Sequence, residues 1–422
     1  MEQLIRRAAE LRLARLNIPL SLRLPGGLVL GRRPADVTLE FSRWPAVALL
    51  ATGEIGKIAE GFVEDRIRID GAMRDVMEIA ARLLPASPVP ERSSLWQRIW
   101  RRTRSAAFHS IARDAAQVQF HYDVSDDFYA LWLDPKRVYS CAYFTSPAMT
   151  LTQAQEAKLD HICRKLMLRP GERFLDIGAG WGALLMWAAE HYGVDATGIT
   201  LSKNQHAHVS RLIAAKGLES RVRVLLCDYR DLPVLPAYDK VSSVGMIEHV
   251  GQANLGAYFR KIHDLLVPGG LVLNHGITAA GPQAGQLGAG IGNFIEKYIF
   301  PGGELLHVSQ LLRESAAAGL ETLDTENLRP HYGRTLWAWS DRLEAQLGAA
   351  LLALRANGST QAQAERVLRA YRLYLAGSAM SFERGWLSLH QMLASRPAED
   401  NTFNEPPGAQ SHYPFTRTYM YA

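Results

Sequence analysis

The sequence is poor in cysteine. Only Cys141, Cys163 and Cys227 occur among its 422 residues, and no two of them form a Cys-x-x-Cys pair. An odd number of cysteines without this spacing argues against a disulfide framework and against a structural zinc site. We therefore expect a protein of a reducing compartment, with no metal.

Long apolar runs are also missing. No run reaches the 18 residues that a membrane-spanning helix needs. Charges recur at Glu10, Arg12 and Arg15 after Arg6 and Arg7, so we expect no signal peptide. The expected location is the cytoplasm, with any membrane contact peripheral.

Lysine is scarce, since only 9 of the 47 basic residues are lysine and the other 38 are arginine. The net charge of +5 indicates an anionic partner only weakly. A composition with 48% hydrophobic and 21% charged residues is typical of a folded globular protein and excludes wholesale disorder.

Three prolines in six residues, Pro85, Pro88 and Pro90, predict a linker because they cannot continue a helix. Before this linker, alternating residues predict strands at 20–24, 37–41 and 67–69, and apolar spacing predicts helices near the N-terminus and at 72–84. We expect residues 1–90 to form a small α+β domain, with lipid or membrane interaction or dimerisation as its role.

Residues 94–104 predict a helix with Trp96 and Trp100 on one face and arginines mostly on the others. Tryptophans opposite basic residues suit a membrane interface. The alternative is that the tryptophans pack between domains and the arginines are merely solvated.

Strands and helices alternate in the following region. The strands are predicted at 173–177, 194–199, 222–226, 240–244 and 271–274, and the helices at 183–192, 203–216 and 258–266. This alternation predicts an α/β fold with a doubly wound, Rossmann-like parallel sheet, carrying helical insertions. We expect a catalytic domain over 91–395 and an irregular tail over 396–422.

A glycine-rich turn follows the first of these strands. It places Asp176 before Gly178, Ala179, Gly180 and Gly182. Glycines here let a ligand approach the backbone at a helix N-terminus, but the spacing differs from the dinucleotide fingerprint. It resembles motif I of S-adenosylmethionine-dependent methyltransferases.

Two further strand ends carry polar groups. After the second strand come Thr200, Leu201, Ser202 and Gln205, whose hydroxyl and amide groups can hydrogen-bond a ribose or the methionine end of the cofactor. After the third strand come Asp228, Tyr229 and Arg230, where this class of enzyme holds adenine.

The chain as a whole resembles the cyclopropane-fatty-acyl-phospholipid synthase family, which includes the mycolic acid cyclopropane synthases. The resemblance covers nearly all of residues 1–395. The motifs that carry it lie at 121–129, 139–144, 176–182, 200–205, 245–251, 297–302 and 382–391.

This resemblance implies a reaction and a set of residues. The family transfers the methyl group of S-adenosylmethionine to a cis double bond of a phospholipid acyl chain, and the resulting cation loses a proton and closes to a cyclopropane. The resemblance implies that bicarbonate, as the bound base, is held by Cys141, Glu248, His275, Tyr332 and a backbone group of Ile277. It also implies Tyr139 and Ser140 as cofactor-binding residues.

Some of these residues have structural alternatives. Cys141 and His275 are also typical core residues, and Tyr332 rests on a looser motif. The chain departs from the family at Ala179 and Ser378, where many members carry cysteine. We expect the change at Ala179 to be tolerated because one small residue replaces another. We expect the change at Ser378 to be tolerated because methyl transfer to an alkene needs no covalent thiol.

The expected partner is a phospholipid bilayer with unsaturated acyl chains, contacted at its inner face, and a homodimer is one expected assembly. The nearest alternative is a relative that leaves a methyl-branched or methylene acyl chain. A nucleic-acid methyltransferase is disfavoured because the chain shows neither a broad basic surface nor an Asn/Asp-Pro-Pro-aromatic motif. A non-enzymatic lipid-binding protein is disfavoured by the intact glycines and Glu248.

If the arginines of 94–104 bind a membrane, replacing Arg98, Arg101 and Arg102 by glutamine should weaken cosedimentation with anionic vesicles. A basic residue near such a surface contributes about 1 kcal/mol, so the triple variant should bind about a hundredfold more weakly at low salt. Unchanged binding would assign the helix to domain packing instead.

Overall fold

The computed structural model describes residues 2–31, 34–52, 54–84, 87–89, 125–233, 237–281, 287–301, 303–397, 414 and 416–421. The predicted helix at 94–104, and the motif residues 121–124, lie outside these ranges.

Helices and strands follow one another along the described chain. The helices are α1 (Glu2–Leu16), α2 (Trp44–Thr52), α3 (Ile55–Val63), α4 (Met73–Leu83), α5 (Asp126–Trp132), α6 (Leu151–Lys165), α7 (Ala183–Tyr192), α8 (Lys203–Lys216), α9 (Leu255–Leu265), α10 (Ile291–Tyr298), α11 (Val308–Ala317), α12 (Arg329–Glu344), α13 (Leu347–Ala356) and α14 (Gln361–Glu383). The strands are β1 (Leu20–Arg23), β2 (Val29–Gly31), β3 (Val37–Phe41), β4 (Ile67–Asp70), β5 (Arg173–Ile177), β6 (Asp195–Thr200), β7 (Val222–Leu226), β8 (Tyr238–Val244), β9 (Leu266–Ala279), β10 (Glu321–Asn327) and β11 (Leu387–Ser395).

The chain divides into two compact units. The first comprises residues 1–91, 286–301 and 336–386, and the second comprises 92–285, 302–335 and 387–422. The division therefore differs from the expected boundary at 90, because two later segments belong to the first unit. Contacts distant in sequence account for this: Tyr298 donates a hydrogen bond to Glu64 (2.7 Å), and Arg74 pairs with Asp341 (2.6 Å).

The first unit contains a four-stranded sheet in the order β2-β1-β3-β4. The strands predicted near 20, 37 and 67 are confirmed, as is the helix predicted at 72–84. Leu20, Leu22, Val37 and Leu39 are buried on this sheet. Strand β2 was not predicted, because its three residues are too few for an alternating pattern to be visible.

The second unit contains a seven-stranded sheet in the order β10-β11-β9-β8-β5-β6-β7. Strands β9, β8, β5, β6 and β7 are parallel, whereas β11 runs antiparallel to β9 and β10. One core cluster includes Leu159, Leu185 and Val209 of α6, α7 and α8, and a second includes Phe259 and Leu311 of α9 and α11. The predicted doubly wound sheet is confirmed.

The strand order creates a switch point at β5. The chain moves outward from β5 to β6 and β7, then returns to place β8 on the other side of β5. Ligands of open α/β sheets bind in the crevice at the carboxyl ends of the strands where the order reverses. The loops after β5 and β8 are therefore the expected walls of a ligand site.

One prediction about the later part of the chain needs correction. Strand β9 extends to Ala279 instead of ending at 274, because β11 pairs with it over its whole second half. In the tail, the described residues include a 3₁₀ turn, Thr418–Met420, whose Met420 is buried. The capping box predicted at Thr360 and Gln363 is present at the start of α14.

Within the ranges that the structure describes, no helix combines the length and the apolar character needed to cross a membrane.

Candidate active site

A cleft lies at the carboxyl ends of β5, β6, β7 and β8. Its empty volume is about 560 Å³, part of it open to solvent. The cleft is lined by Ile177, Gly178, Gly180, Ile199, Thr200, Leu201, Gln205, Cys227, Asp228, Tyr229, Val244, Gly245, Met246 and His249.

The glycine-rich turn forms one wall of this cleft. Gly180 has a φ of +55°, and a side chain there would meet no atom of the described chain within 4 Å. Gly182 has a φ of +83°, and its added Cβ would lie 2.9 Å from Val209. Gly180 thus leaves the backbone open to a ligand, while Gly182 lets α7 begin close to α8.

The second wall comes from the loops after β6 and β7. Thr200 Oγ1 donates to Gln205 Oε1 (2.9 Å), and Ser202 Oγ caps α8 by accepting from the Gln205 amide. Asp228 is buried and is paired with Arg230 at 2.7 Å. These bonds fix the loop conformations and the position of the Asp228 carboxylate.

The structure places seven of the predicted cofactor residues in the cleft lining: Gly178, Gly180, Thr200, Leu201, Gln205, Asp228 and Tyr229. The other predicted residues of these loops, Ala179, Gly182, Ser202 and Arg230, are not among the residues that line the cleft. Asp176 lies within β5, where it accepts a hydrogen bond from Ser242 (2.6 Å), and burial raises its pKa to about 6.

Tyr139 and Ser140 lie in the irregular segment between α5 and α6. The Tyr139 ring packs against Tyr129 and Trp132, with both centroid distances 5.4 Å. Ser140 is held by α6, since Lys158 Nζ donates to Ser140 Oγ (2.9 Å). Neither residue is part of the cleft lining described above.

Glu248 and Ile277 are joined directly. Glu248 lies in the 3₁₀ turn Ile247–His249 after β8, and its Oε1 accepts a hydrogen bond of 2.6 Å from the Ile277 amide. The turn reaches β9 because residue 276 is glycine: a Cβ there would lie 2.2 Å from Ile247. Gly276 is therefore required for the contact between Glu248 and Ile277.

The second carboxylate oxygen of Glu248, Oε2, is left without a hydrogen-bond partner in the described chain. This atom is also shielded from solvent. Burial raises the pKa of this carboxyl to about 7, although the Ile277 amide opposes the shift. Near neutral pH, Glu248 can therefore act either as an acceptor or, when protonated, as a donor.

His275 lies in β9, two residues before Ile277. Its Nδ1 accepts from Gln391 Nε2 of β11 (3.1 Å), which leaves the ring proton on Nε2. Burial, reinforced by the charges of Lys158 and Lys165, keeps the pKa of His275 well below its usual range. Nε2 of this neutral ring is buried and has no partner in the described chain.

The polar pair Glu248 and His275 adjoins the cleft. The amide of Gly245, a cleft residue, donates to the carbonyl of His275 (2.8 Å). Met246 also lines the cleft and is two residues from Glu248. A ligand in the cleft and a small polar group beside Glu248 and His275 would thus be neighbours.

Cys141 and Tyr332 are both buried and are linked through one carbonyl. The Cys141 thiol donates to the carbonyl of Ala142 (3.2 Å) and lies 4.0 Å from that of Leu328, which also accepts from the Tyr332 amide (3.1 Å). Burial raises the pKa of the thiol, so Cys141 remains protonated. This disfavours a nucleophilic role for Cys141.

Ser378, which stands where many members of the resembling family have cysteine, lies in α14 of the first unit.

Sequence reasoning did not assign a role to several residues. Gln391 belongs to one of the recognised motifs, but its bond to His275 depends on the pairing of β9 with β11. The cleft is also lined by Met246, Cys227 and His249. Each of them follows a predicted strand, and this place in the sequence is the signal from which they could have been predicted.

Comparison with known proteins identifies the family. Residues 109–392 match the family model described as mycolic acid cyclopropane synthetase. The chain belongs to this family. A probable fatty acid methyltransferase of Pseudomonas putida is 41% identical over 414 residues, which cover 96% of this chain and 97% of that protein. Cyclopropane mycolic acid synthase 1 of Mycobacterium tuberculosis is 40% identical over 292 residues, covering 67% and 97% of the two chains.

A solved structure of the family has the same fold. The mycolic acid cyclopropane synthase CmaA1, complexed with SAH and CTAB, matches with a TM-score of 0.61 and 38% identity, covering 67% of this chain and 98% of that one. The chain is thus an S-adenosylmethionine-dependent methyltransferase of the cyclopropane synthase family. These relatives support methylation of lipid acyl chains as its activity.

We predict that Glu248→Gln and His275→Ala retain cofactor affinity but lose turnover. Both side chains lie beside the cleft instead of lining it, and acid–base groups contribute about a hundredfold or more to rate. Calorimetry with S-adenosylhomocysteine and turnover measurements separate the two effects.

The matched control for this pair is Gly180→Val, which should lose cofactor binding because its side chain enters the cleft. Loss of binding in a folded Glu248 or His275 variant would contradict the division of roles.

Proposed function

We propose that the protein transfers the methyl group of S-adenosylmethionine to a cis double bond of a phospholipid acyl chain and forms a cyclopropane. The cofactor, when bound in the cleft, supplies an electrophilic methyl group. We assign the holding of this cofactor to the glycine turn, the Thr200–Gln205 loop and Asp228–Arg230, with Tyr139 and Ser140 completing the site.

The observation that carries this proposal is the pair of unpartnered polar atoms beside the cleft, Glu248 Oε2 and His275 Nε2. An alkene gains a positive charge when it is methylated, and ring closure requires the loss of one proton from the new methyl group. The electron pair of that C–H bond then forms the second bond of the ring. Such a site needs a weak base, since a strong nucleophile would trap the cation.

The residues present fit a small oxyanion. His275 Nε2 offers a proton, and Glu248 with its raised pKa can share one. Cys141 and Tyr332 complete the proposed set, and the Ile277 amide contributes by holding Glu248 Oε1. Bicarbonate, held there, would supply the acceptor for the departing proton.

A fatty-acyl methyltransferase that forms a methyl-branched or methylene product is the second candidate. The Pseudomonas putida relative, which matches over 96% of this chain, is named a probable fatty acid methyltransferase, and this favours the alternative. Both reactions begin with the same methyl transfer to the double bond. The site described above therefore suits both of them until the proton is lost.

We also propose that the protein works at the cytoplasmic face of the membrane, where its substrate lies, and that its N-terminal residues mediate the contact. The exposed apolar side chains of α1, Leu4 and Leu11, support this role. We further propose that the protein forms a homodimer.

We test the proposed product with purified protein, S-adenosylmethionine and vesicles of cis-unsaturated phospholipid, with free cis-unsaturated fatty acid as the parallel substrate. We expect phospholipid acyl chains that are heavier by one CH₂ and that survive mild hydrogenation as rings. A methylene branch would be reduced to a methyl group under the same conditions.

Glu248→Gln protein is the matched control and should give no mass gain. A reducible product alone would reject the cyclopropane and favour the second candidate. Reaction of the free acid alone would reject the phospholipid substrate, and no mass gain with either substrate would reject both candidates.

A further inference from the structure

The segment 134–141 has no regular secondary structure, yet it carries Tyr139, Ser140 and Cys141. Buried irregular backbone needs hydrogen-bond partners from elsewhere. The buried Asp134 supplies two, because its carboxylate accepts from the amides of Lys136 (2.9 Å) and Val138 (2.8 Å). These bonds fix the first half of the segment.

Helix α6 fixes the second half. Gln155 and Lys158 lie three residues apart on its buried face, with exposures of 0% and 2%. Gln155 Nε2 donates to the Ser140 carbonyl (2.9 Å), and Lys158 Nζ donates to Ser140 Oγ (2.9 Å). Both the backbone and the side chain of Ser140 are thus held by one helix.

Lys158 differs from an ordinary buried lysine. Lys165, also fully buried on α6, lies 2.6 Å from Glu326 and 3.5 Å from Asp324. Lys158 has no carboxylate within ion-pair distance in the part of the chain that the structure describes, and its hydrogen bond goes to a neutral hydroxyl. A buried cation without an ion pair is costly, so structural stability alone does not explain it.

We propose that Lys158 is a positioning residue for methyl transfer, whose ammonium holds Ser140 and thereby sets the backbone of residues 139–141. The inference rests on the proposed function, which places Tyr139 and Ser140 at the cofactor and Cys141 at the base.

The electrostatic surroundings of Lys158 support this role. Burial lowers the pKa of Lys158 to about 8. The shift is opposed by the electrostatic effects of Asp134, Cys141, Asp176 and Cys163, which raise this pKa. Burial raises the pKa values of both thiols, and that of Asp176 to about 6. Between about pH 6 and pH 8, Lys158 is therefore charged, Asp176 is ionised and the thiols are neutral.

The first test is the variant Lys158→Met, which keeps the length of the side chain and removes its charge. We expect S-adenosylhomocysteine to bind about tenfold more weakly or worse, because a hydrogen bond from a charged donor is lost. Lys240→Met is the matched control: Lys240 is also largely buried, with its pKa lowered by burial, but it lies at the opposite end of β8 from the cleft. Its cofactor affinity should be unchanged.

The second test is a double-mutant cycle with Ser140→Ala. If Lys158 acts through Ser140, Lys158→Met should weaken binding much less in the Ser140→Ala background than in the wild type. The wild type should also lose affinity as the pH rises above about 8, where Lys158 loses its proton, and folded Lys158→Met should lack this loss.

The outcomes distinguish a failure of the proposed function from a failure of the positioning role of Lys158. A wild type that does not bind S-adenosylhomocysteine would overturn the proposed function. A wild type that binds, with a folded Lys158→Met of unchanged affinity and pH profile, would overturn the positioning role alone. If Lys158→Met does not fold, Ser140→Ala decides: unchanged affinity in that variant would also overturn the role.

Discussion

The register between β8 and β9 is the constraint on which the active site depends. Val244 is opposite His275, and the next residue, Gly245, donates its amide to the His275 carbonyl. This pairing places the end of β8, which lines the cleft, beside the side chains of β9. A shift of one residue would turn His275 to the other face of the sheet. The contact of Gly276 with Ile247 keeps the following turn, and with it Glu248, in the same register.

Burial gives this site its chemical character. It raises the pKa of Glu248, keeps that of His275 low and keeps Cys141 protonated. The site therefore presents weakly basic and weakly acidic groups near neutral pH. Such groups can take a proton from a methylated acyl chain, whereas a thiolate would attack the cation. That serine at position 378 is tolerated stays a prediction.

The central part of the fold could be predicted from the sequence because its signals are local. Strand β7 and helices α7 and α8 were predicted with the bounds that the structure shows. Each has a clear apolar pattern in its sequence and is flanked by glycine or polar residues. Seven cleft residues were predicted from the glycine turn and from the polar groups after the next two strands, through the resemblance to a methyltransferase motif. Strands β10 and β11 were not predicted, because their place in the sheet depends on pairings distant in sequence.

The same limit applies to the candidate site. The bond between Glu248 and Ile277, the role of Gln391 and the need for Gly276 all arise from strand pairing, which periodicity does not reveal. The extent of the first unit was missed for a related reason. Residues 286–301 and 336–386 join it through contacts with residues more than two hundred positions earlier, such as Tyr298 with Glu64.

The central claim is that a weak base beside the cleft removes a proton from the transferred methyl group. The most direct measurement supplies S-adenosylmethionine with a fully deuterated methyl group and follows the acyl product by mass spectrometry. The account predicts that the product retains two of the three deuterium atoms, because one leaves with the base. A product that retains all three would contradict it.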